Sequence, residues 1–173
     1  FSYPYVVKPS NEGSTYGLSI VYDESELPEA IDLAAGYSDE ILIEEYIPGR
    51  ELTVGILGKK SLPIVEIIPS HNFYDFECKY TEGMSEYKVP ADLSDSLVRK
   101  ISEDTLKIYN TIGCRHYARA DFRLNEKDEY YFLEINTLPG MTSTSLLPKA
   151  AKAAGLEFPD LIDIIIKIAT LDK

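Results

Sequence analysis

Two hydrophobic patterns divide the chain. Short apolar or alternating runs predict β-strands, and longer stretches with apolar residues three or four positions apart predict α-helices. Strands are predicted at 6–7, 18–22, 41–43, 51–57, 62–68, 116–124 and 129–137. Helices are predicted at 23–36, 94–113, 146–154 and 159–169. This order of elements predicts an α+β fold with a largely antiparallel sheet packed with helices.

Caps and turn residues locate the ends of these elements. Asp23 begins a capping pattern for the first helix, and Ser94 has the same role for the second. Gly113 stands where a left-handed residue commonly ends a helix. Residues 10–17 form a small, polar, glycine-flanked loop, and 69–90 form a long polar and aromatic loop. The length of the second loop is typical of a segment that closes over an active site.

The last two predicted strands form a hairpin on which polar side chains converge. Alternation places Arg119 and Asp121 on one face of the first strand. On the second strand the predicted shared face carries Phe132, Glu134 and Asn136. If the turn centres on 127–128, Asp121 faces Glu134 and Arg119 faces Asn136.

This facing pair has two interpretations. Like charges directly opposed across strands are destabilising, so the carboxylates need solvent or a cation between them. A solvated hairpin face is the plain interpretation. An all-oxygen site of two carboxylates and one amide, suited to Mg²⁺ and phosphate and lacking the ligands zinc prefers, is the functional one. Arg119 would add a planar cation for a developing oxyanion.

Composition and charge limit the classes of partner that the chain is expected to bind. The chain has 173 residues, of which 45% are hydrophobic, enough to bury a core. Its net charge of −12 is the wrong sign for binding a nucleic acid or an anionic membrane. Cys78 and Cys114 have no ligand-like spacing and no secretory signal is visible, which predicts a cytoplasmic protein. The longest apolar stretch, 161–171, predicts an amphipathic helix.

Further charged residues are candidates for nucleotide contacts. Lys8 lies at the mouth of the 10–17 loop, and Lys79 lies among aromatic residues of the 69–90 loop. Carboxylates that could take ribose hydroxyls surround the segment 46–49; they are Glu44, Glu45 and Glu51. Taken singly, each of these carboxylates is more typical of a solvated edge charge, and Lys79 is equally consistent with an ordinary exposed lysine. No role is assigned to the histidines, His71 and His116.

Five blocks, taken in order, resemble the motifs of D-alanine–D-alanine ligases, an ATP-grasp family. They are Lys8 to Ser14, Glu44-Glu45 with Gly49-Arg50-Glu51, Phe73 to Phe76 with Lys79-Tyr80, Arg119 to Phe122, and Glu134 to Thr142 with Ser145-Leu146. The resemblance covers nearly the whole chain. It implies that ATP phosphorylates the carboxylate of one D-alanine, and that the amine of a second attacks the acyl phosphate, for peptidoglycan precursor synthesis.

The resemblance also implies roles for individual residues. The implied nucleotide contacts are Lys8, Glu44, Glu45, Ile47, Glu51 and Lys79. The implied ligands of two Mg²⁺ ions are Asp121, Glu134 and Asn136, and Mn²⁺ is expected to be an acceptable substitute for Mg²⁺. The implied catalytic groups are Arg119, the Gly140 backbone, Ser14 and Tyr80. The implied contacts to the second substrate are Ser145 and Leu146.

The family carries further sequence ahead of Lys8, so the chain is expected to be the C-terminal portion of a longer protein. Residues 1–46 would complete a central ATP-grasp subdomain, and 47–173 would form the C-terminal one. The expected partners are ATP, D-alanine, the N-terminal part of the same protein and a second copy of the full-length form. Two alternatives stay open: a related ligase for another amino or hydroxy acid, and a non-catalytic nucleotide-binding module.

Overall fold

The computed structural model describes residues 2–69, 85–142 and 144–169. The described residues fall into two compact units. Those within Phe1–Ile47 and Pro69–Glu86 form the first unit, and those within Pro48–Ile68 and Tyr87–Lys173 form the second. Each unit has its own sheet and its own buried apolar cluster.

The first unit contains a three-stranded antiparallel sheet in the order β2-β1-β3. Its elements are β1 (Tyr5–Pro9), β2 (Ser19–Val21), α1 (Leu27–Ala35) and β3 (Ile41–Glu45). Helix α1 packs on the sheet through a small core of Val7, Val21, Ala30 and Ala34. The predicted cap at Asp23 is confirmed, although it caps a short 3-10 turn, Glu24–Glu26, ahead of α1. Hydrogen bonds from the Ser25 hydroxyl and backbone N–H lower the pKa of Asp23.

Most residues of the second sheet belong to the second unit; its strand order is β7-β6-β4-β8-β9, with β5 paired to β4. The strands are β4 (Arg50–Leu57), β5 (Lys60–Ser61), β6 (Val65–Pro69), β7 (Ser85–Lys88), β8 (Tyr117–Leu124) and β9 (Tyr130–Asn136). The prediction of one strand over 62–68 was wrong in part, because Pro63 lacks the N–H that a ladder needs and separates β5 from β6. The prediction of a loop over 69–90 was wrong at β7.

Helix α2 (Asp95–Ile112) covers one face of this sheet. The Ser94 hydroxyl accepts from the Leu97 N–H at 3.3 Å, and Gly113 has a φ of 82°, so both predicted ends are confirmed. The core beneath α2 includes Leu52, Val54, Ile56, Ile101, Ala118, Ala120 and Phe122. Helices α3 (Leu146–Ala153) and α4 (Phe158–Ile168) follow the hairpin. Among the described residues, no helix is both long and apolar enough to cross a bilayer.

The β8–β9 hairpin reaches the predicted register by an unexpected route. Its loop holds three residues, 126–128, closed by hydrogen bonds between Asn125 and Glu129 and ending at Asp128 with a φ of 60°. The expected turn centre at 127–128 was therefore wrong. A β-bulge at Leu133 then inserts one extra residue, which restores Asp121 opposite Glu134.

The same bulge changes which residues of β9 share a face. Phe132 pairs with Phe122, and their rings meet edge to face at 5.7 Å on the core side. Glu134, two residues later, pairs with Asp121 on the opposite side. The prediction that Phe132 shares a face with Glu134 was wrong, because alternation does not continue through a bulge.

Candidate functional site

The face of the second sheet opposite α2 carries a row of polar side chains. On β4, Glu51, Thr53 and Gly55 alternate with the core residues beneath α2. The ladder between β4 and β8 places these three opposite Arg123, Asp121 and Arg119, respectively. We call this set, together with Glu134 and Asn136 of β9, the polar face.

The carboxylate of Asp121 is the centre of the polar face. Its Oδ1 accepts from the Thr53 hydroxyl at 2.5 Å and from Arg119 Nε at 2.9 Å. Its Oδ2 accepts from Arg119 Nη2 at 2.7 Å and from Asn136 Nδ2 at 3.2 Å. The Asp121 side chain is 13% exposed. Four donors thus hold one mostly buried carboxylate in a single orientation.

Glu134 joins the same network through Asn136, whose amide nitrogen donates to Glu134 Oε1 at 3.0 Å. Two carboxylates and one amide therefore meet at one place, an oxygen-rich donor set of the kind Mg²⁺ binds. The set fits such an ion chemically if the Asn136 amide flips, so that its oxygen and not its nitrogen lies beside the carboxylate oxygens and faces the ion. No group of three or more His, Cys, Asp or Glu in the described ranges has the arrangement of a metal site, so the amide is needed to complete this one.

Glu51 lies at one end of the polar face, where its Oε2 is 3.4 Å from Arg123 Nη1. Both side chains are 16% exposed. Arg123 also donates to the Gly49 carbonyl at 2.9 Å. Residue Gly49 has a φ of 123°, and a Cβ there would lie 2.2 Å from the Leu124 carbonyl oxygen. Only glycine fits this turn, which leads directly to Glu51.

Helix α3 approaches the other end of the polar face. A Cβ on Gly55 would lie 2.6 Å from Leu147 Cδ1, so the missing side chain is what lets α3 pack against β4. Ser145 precedes α3 but does not cap it; its hydroxyl accepts from the Thr142 N–H at 3.0 Å. A Cβ on Gly140 would lie 2.9 Å from that hydroxyl oxygen. Gly140, Ser145 and the start of α3 therefore pack together closely.

The predicted nucleotide residues of the first unit lie on β1 and β3 and in the segments beside them. Lys8 Nζ is 2.6 Å from Glu44 Oε2, with side chains 21% and 38% exposed. The strand register puts both residues on the face opposite α1. Glu45 ends β3, and the Tyr46 N–H donates to the Pro4 carbonyl at 3.2 Å, which continues the alignment toward Ile47. Ser14 lies in the 10–17 loop with a φ of 56°.

The remaining residues considered in the sequence analysis either lie outside the described residues or are placed by a backbone contact or by burial. Lys79, Tyr80 and His71 lie outside the described residues. The carbonyl of His116 accepts from the Gly58 N–H at 2.6 Å, which is a backbone contact. The Leu146 side chain is buried, so a ligand contact from Leu146 would have to come from its backbone.

Sequence reasoning missed two structurally important groups. Thr53 is 1% exposed and bonds Asp121; its signal is a hydroxyl in an otherwise apolar run, directly opposite a carboxylate once the strands are paired. Arg50 binds the buried Glu66 with two hydrogen bonds, at 2.7 and 2.8 Å. This bond to Glu66 raises the pKa of Arg50. No pattern along the chain links Arg50 to Glu66, because their pairing depends on β4 and β6 lying side by side.

Comparison with known proteins agrees with this architecture. The family described as "D-ala D-ala ligase C-terminus" matches residues 1–167. The chain is 46% identical over 171 residues to the D-alanine–D-alanine ligase of Syntrophotalea carbinolica, covering 99% of this chain and 56% of that protein.

Two solved structures are also similar. The ATP complex of a D-alanine–D-alanine ligase from Bacillus anthracis has a TM-score of 0.82 at 36% identity, covering 96% of this chain and 52% of that one. A D-Ala:D-Ser ligase from Enterococcus faecalis has a TM-score of 0.84 at 33% identity, covering 97% and 50%. The predicted α+β ATP-grasp fold is confirmed. The chain spans about half the length of these relatives, and it belongs to the D-alanine–D-alanine ligase C-terminus family.

Proposed function

We propose that the longer protein containing this chain joins two D-alanine molecules at the expense of ATP, through an acyl phosphate, in peptidoglycan precursor synthesis. The observation that carries this proposal is the convergence of Asp121, Glu134 and Asn136 beside Arg119, in a chain of this family. Phosphoryl transfer needs positioned charge more than covalent chemistry, and this set supplies charge of both signs.

Asp121, Glu134 and Asn136 would hold two Mg²⁺ ions, for which Mn²⁺ would substitute. Bound there, the metal would neutralise charge on the ATP phosphates. The Asn136 amide donates to both carboxylates, so it would rotate to present its oxygen. The two carboxylates would thereby exchange the shared Asn136 N–H donor for a divalent cation.

Arg119 would change partners in the same process. Its guanidinium makes two hydrogen bonds to Asp121, at 2.9 and 2.7 Å. A cation on Asp121 would weaken this pair by repulsion, which would turn Arg119 toward the oxyanion that develops on the substrate. The Gly140 backbone N–H would be the second donor to that oxyanion.

The start of α3 would bind the carboxylate of the second D-alanine. Helix N-termini bind anions through backbone N–H groups and the helix dipole. Ser145 and Leu146 stand at this end, and in the described structure no side chain caps it. The packing at Gly55 holds α3 against the strand that carries the polar face.

The nucleotide contacts belong to the same proposal. Lys8 would bind an ATP phosphate by exchanging the Glu44 carboxylate for it, and Lys79 would bind another. The backbone at Glu45 and Ile47 would hold the adenine, with Glu44 beside it, and Glu51 would hold the ribose. Closure of the site is assigned to Ser14 and Tyr80. Assembly of the full-length protein as a homodimer stays a prediction.

The second substrate is proposed to be D-alanine. Among solved structures the chain is 38% identical to a D-alanine–D-alanine ligase and 33% identical to a D-Ala:D-Ser ligase, so identity alone does not separate the two substrates. Both proteins share the fold, so the difference would lie in the groups around the second substrate. Supplying D-serine in place of the second D-alanine distinguishes them.

The test is an assay of ADP release by the purified full-length protein, with the product identified by mass spectrometry. Mg-ATP with D-alanine is expected to yield ADP, phosphate and D-alanyl-D-alanine, and D-serine or D-lactate is expected to yield far less mixed product. The 173-residue chain alone is expected to make no dipeptide, because proximity contributes about 7–11 kcal/mol only when all the reactants are held. Nucleotide binding without any ligation would overturn the proposal, and equal turnover by the chain alone would overturn the claim that further residues are needed.

A further inference from the structure

We propose that Thr53 is a positioning residue for the metal site: its hydroxyl fixes the Asp121 carboxylate in the orientation in which it binds a divalent cation. This inference rests on the proposed function, since it takes Asp121 as a metal ligand. Thr53 itself would touch neither metal nor substrate.

The contact is short and directed. Thr53 Oγ1 lies 2.5 Å from Asp121 Oδ1 and 3.3 Å from the Ala120 carbonyl oxygen. A hydroxyl has one proton to donate, and the shorter contact to the charged acceptor is the stronger one. The Thr53 proton therefore goes to Asp121 Oδ1, which also accepts from Arg119 Nε, while Oδ2 accepts from Arg119 Nη2 and Asn136 Nδ2.

Thr53 is held more rigidly than the other donors to Asp121. It is 1% exposed, lies in the middle of β4 and has strand partners on both sides, Asp121 and Val65. Its β-branched side chain has few rotamers available. Arg119, by contrast, is a long side chain with 20% exposure.

Thr53 also differs from Arg119 in charge, and therefore in how it would respond to a bound cation. A divalent cation repels the guanidinium but not a neutral hydroxyl. When Arg119 and the Asn136 amide change partners, the bond from Thr53 is the one that can persist unchanged. Donors that orient a ligand from behind are a general feature of metal sites, and their loss weakens metal binding.

The experiment measures Mn²⁺ binding to the full-length protein in the presence of ADP, by electron paramagnetic resonance. Thr53→Val, which removes the hydroxyl, is expected to raise the Kd for Mn²⁺ about tenfold, and Thr53→Ser, which keeps it, by less than about threefold. ADP affinity without metal should be the same in all three proteins. Thr53→Val should also raise the Mg²⁺ concentration for half-maximal turnover, with recovery at excess Mg²⁺. If the Thr53 hydroxyl were purely structural, its removal would lower the stability of the protein and leave both the Kd for Mn²⁺ and the Mg²⁺ requirement unchanged.

The variant Asp121→Asn distinguishes a failure of the proposed function from a failure of the positioning role of Thr53. If Asp121→Asn does not weaken Mn²⁺ binding, the metal site itself is misplaced and the proposed function fails. If Asp121→Asn weakens binding while Thr53→Val and Thr53→Ser match the unaltered protein, the role of Thr53 alone is overturned. Should Thr53→Val not fold, Thr53→Ala is compared with Thr53→Ser in the same measurement, and equal Kd values for those two variants overturn the inference.

Discussion

Asp121 and Glu134 are cross-strand partners, and one amide nitrogen, that of Asn136, donates to both carboxylates, at 3.2 and 3.0 Å. Two carboxylates opposed in this way repel each other. The amide and the Arg119 guanidinium offset that repulsion in the described structure. A divalent cation at the same place would offset it more strongly, which is the physical basis of the proposed site.

Glu134→Gln should show that the charge of Glu134 is needed for turnover and that its packing is not needed for stability. Glu134 is exposed, so the substitution should leave the urea midpoint nearly unchanged, or raise it slightly by removing one of two like charges. Turnover of the full-length protein at ordinary Mg²⁺ should be lost, because a ligand charge is missing. The matched control is Glu126→Gln, an exposed residue of the same hairpin, which should retain activity. Ordinary turnover by Glu134→Gln would remove Glu134 from the metal site.

Gly49→Ala should be strongly destabilising. The substitution meets both a φ of 123° and a carbonyl oxygen 2.2 Å from the new Cβ, so we expect a loss of about 3 kcal/mol in the free energy of unfolding. Gly58→Ala is the control, since Gly58 has a φ of 62° with nothing within 4 Å, and about 1 kcal/mol is expected. Equal urea midpoints for the two variants would contradict the assigned turn geometry.

Gly55→Ala should disturb α3 through Leu147. The new methyl group would overlap Leu147 Cδ1 at 2.6 Å and touch Leu62 Cδ1 at 3.0 Å, which predicts a loss of about 1–3 kcal/mol. In the full-length protein it should also raise KM for the second D-alanine. Adding Leu147→Ala should recover part of the stability lost to the methyl group, with a favourable coupling of about 1 kcal/mol in a double-mutant cycle. Additive losses would show that α3 does not depend on Gly55.

Arg50→Ala should leave the buried Glu66 carboxylate without its main partner. Glu66 is 6% exposed, so we expect a loss of about 2–3 kcal/mol in the free energy of unfolding. The pKa of Arg50 is raised by this pairing, and a raised basic pKa gives stability that is complete below the unfolded value and lost only as pH rises through the folded one. The cost of Arg50→Ala should therefore be constant from about pH 6 to 9.

The exposed pair Asp163–Lys167 is the control for Arg50, with side chains 58% and 70% exposed. Lys167→Ala should change stability by less than about 1 kcal/mol. If both substitutions cost the same in urea unfolding, the burial of Glu66 contributes nothing to the pairing.

Local signals predicted much of this structure. The caps at Asp23 and Ser94, the left-handed Gly113 and the alternation of β8 each depend on a few neighbouring residues, and each is confirmed. The strand break at Pro63 was also visible in principle, because proline cannot donate to a ladder.

Features that depend on pairing between distant strands were not predictable in this way. The bulge at Leu133 leaves no mark on the alternation of β9, yet it decides that Phe132 faces the core and Glu134 the polar face. Thr53 becomes a partner of Asp121 only when β4 lies beside β8. Asp121 and Glu134 did face each other as predicted, because an odd loop and a bulge compensate one another.

The most direct test of the central claim is a crystal structure of the full-length protein with Mn²⁺ and a non-hydrolysable ATP analogue, with the metal located by its anomalous scattering. We expect Mn²⁺ within about 2.5 Å of oxygens from Asp121, Glu134 and Asn136, with Arg119 turned away from Asp121. Anomalous peaks at the nucleotide phosphates but away from these three side chains, with Arg119 still paired to Asp121, would contradict it.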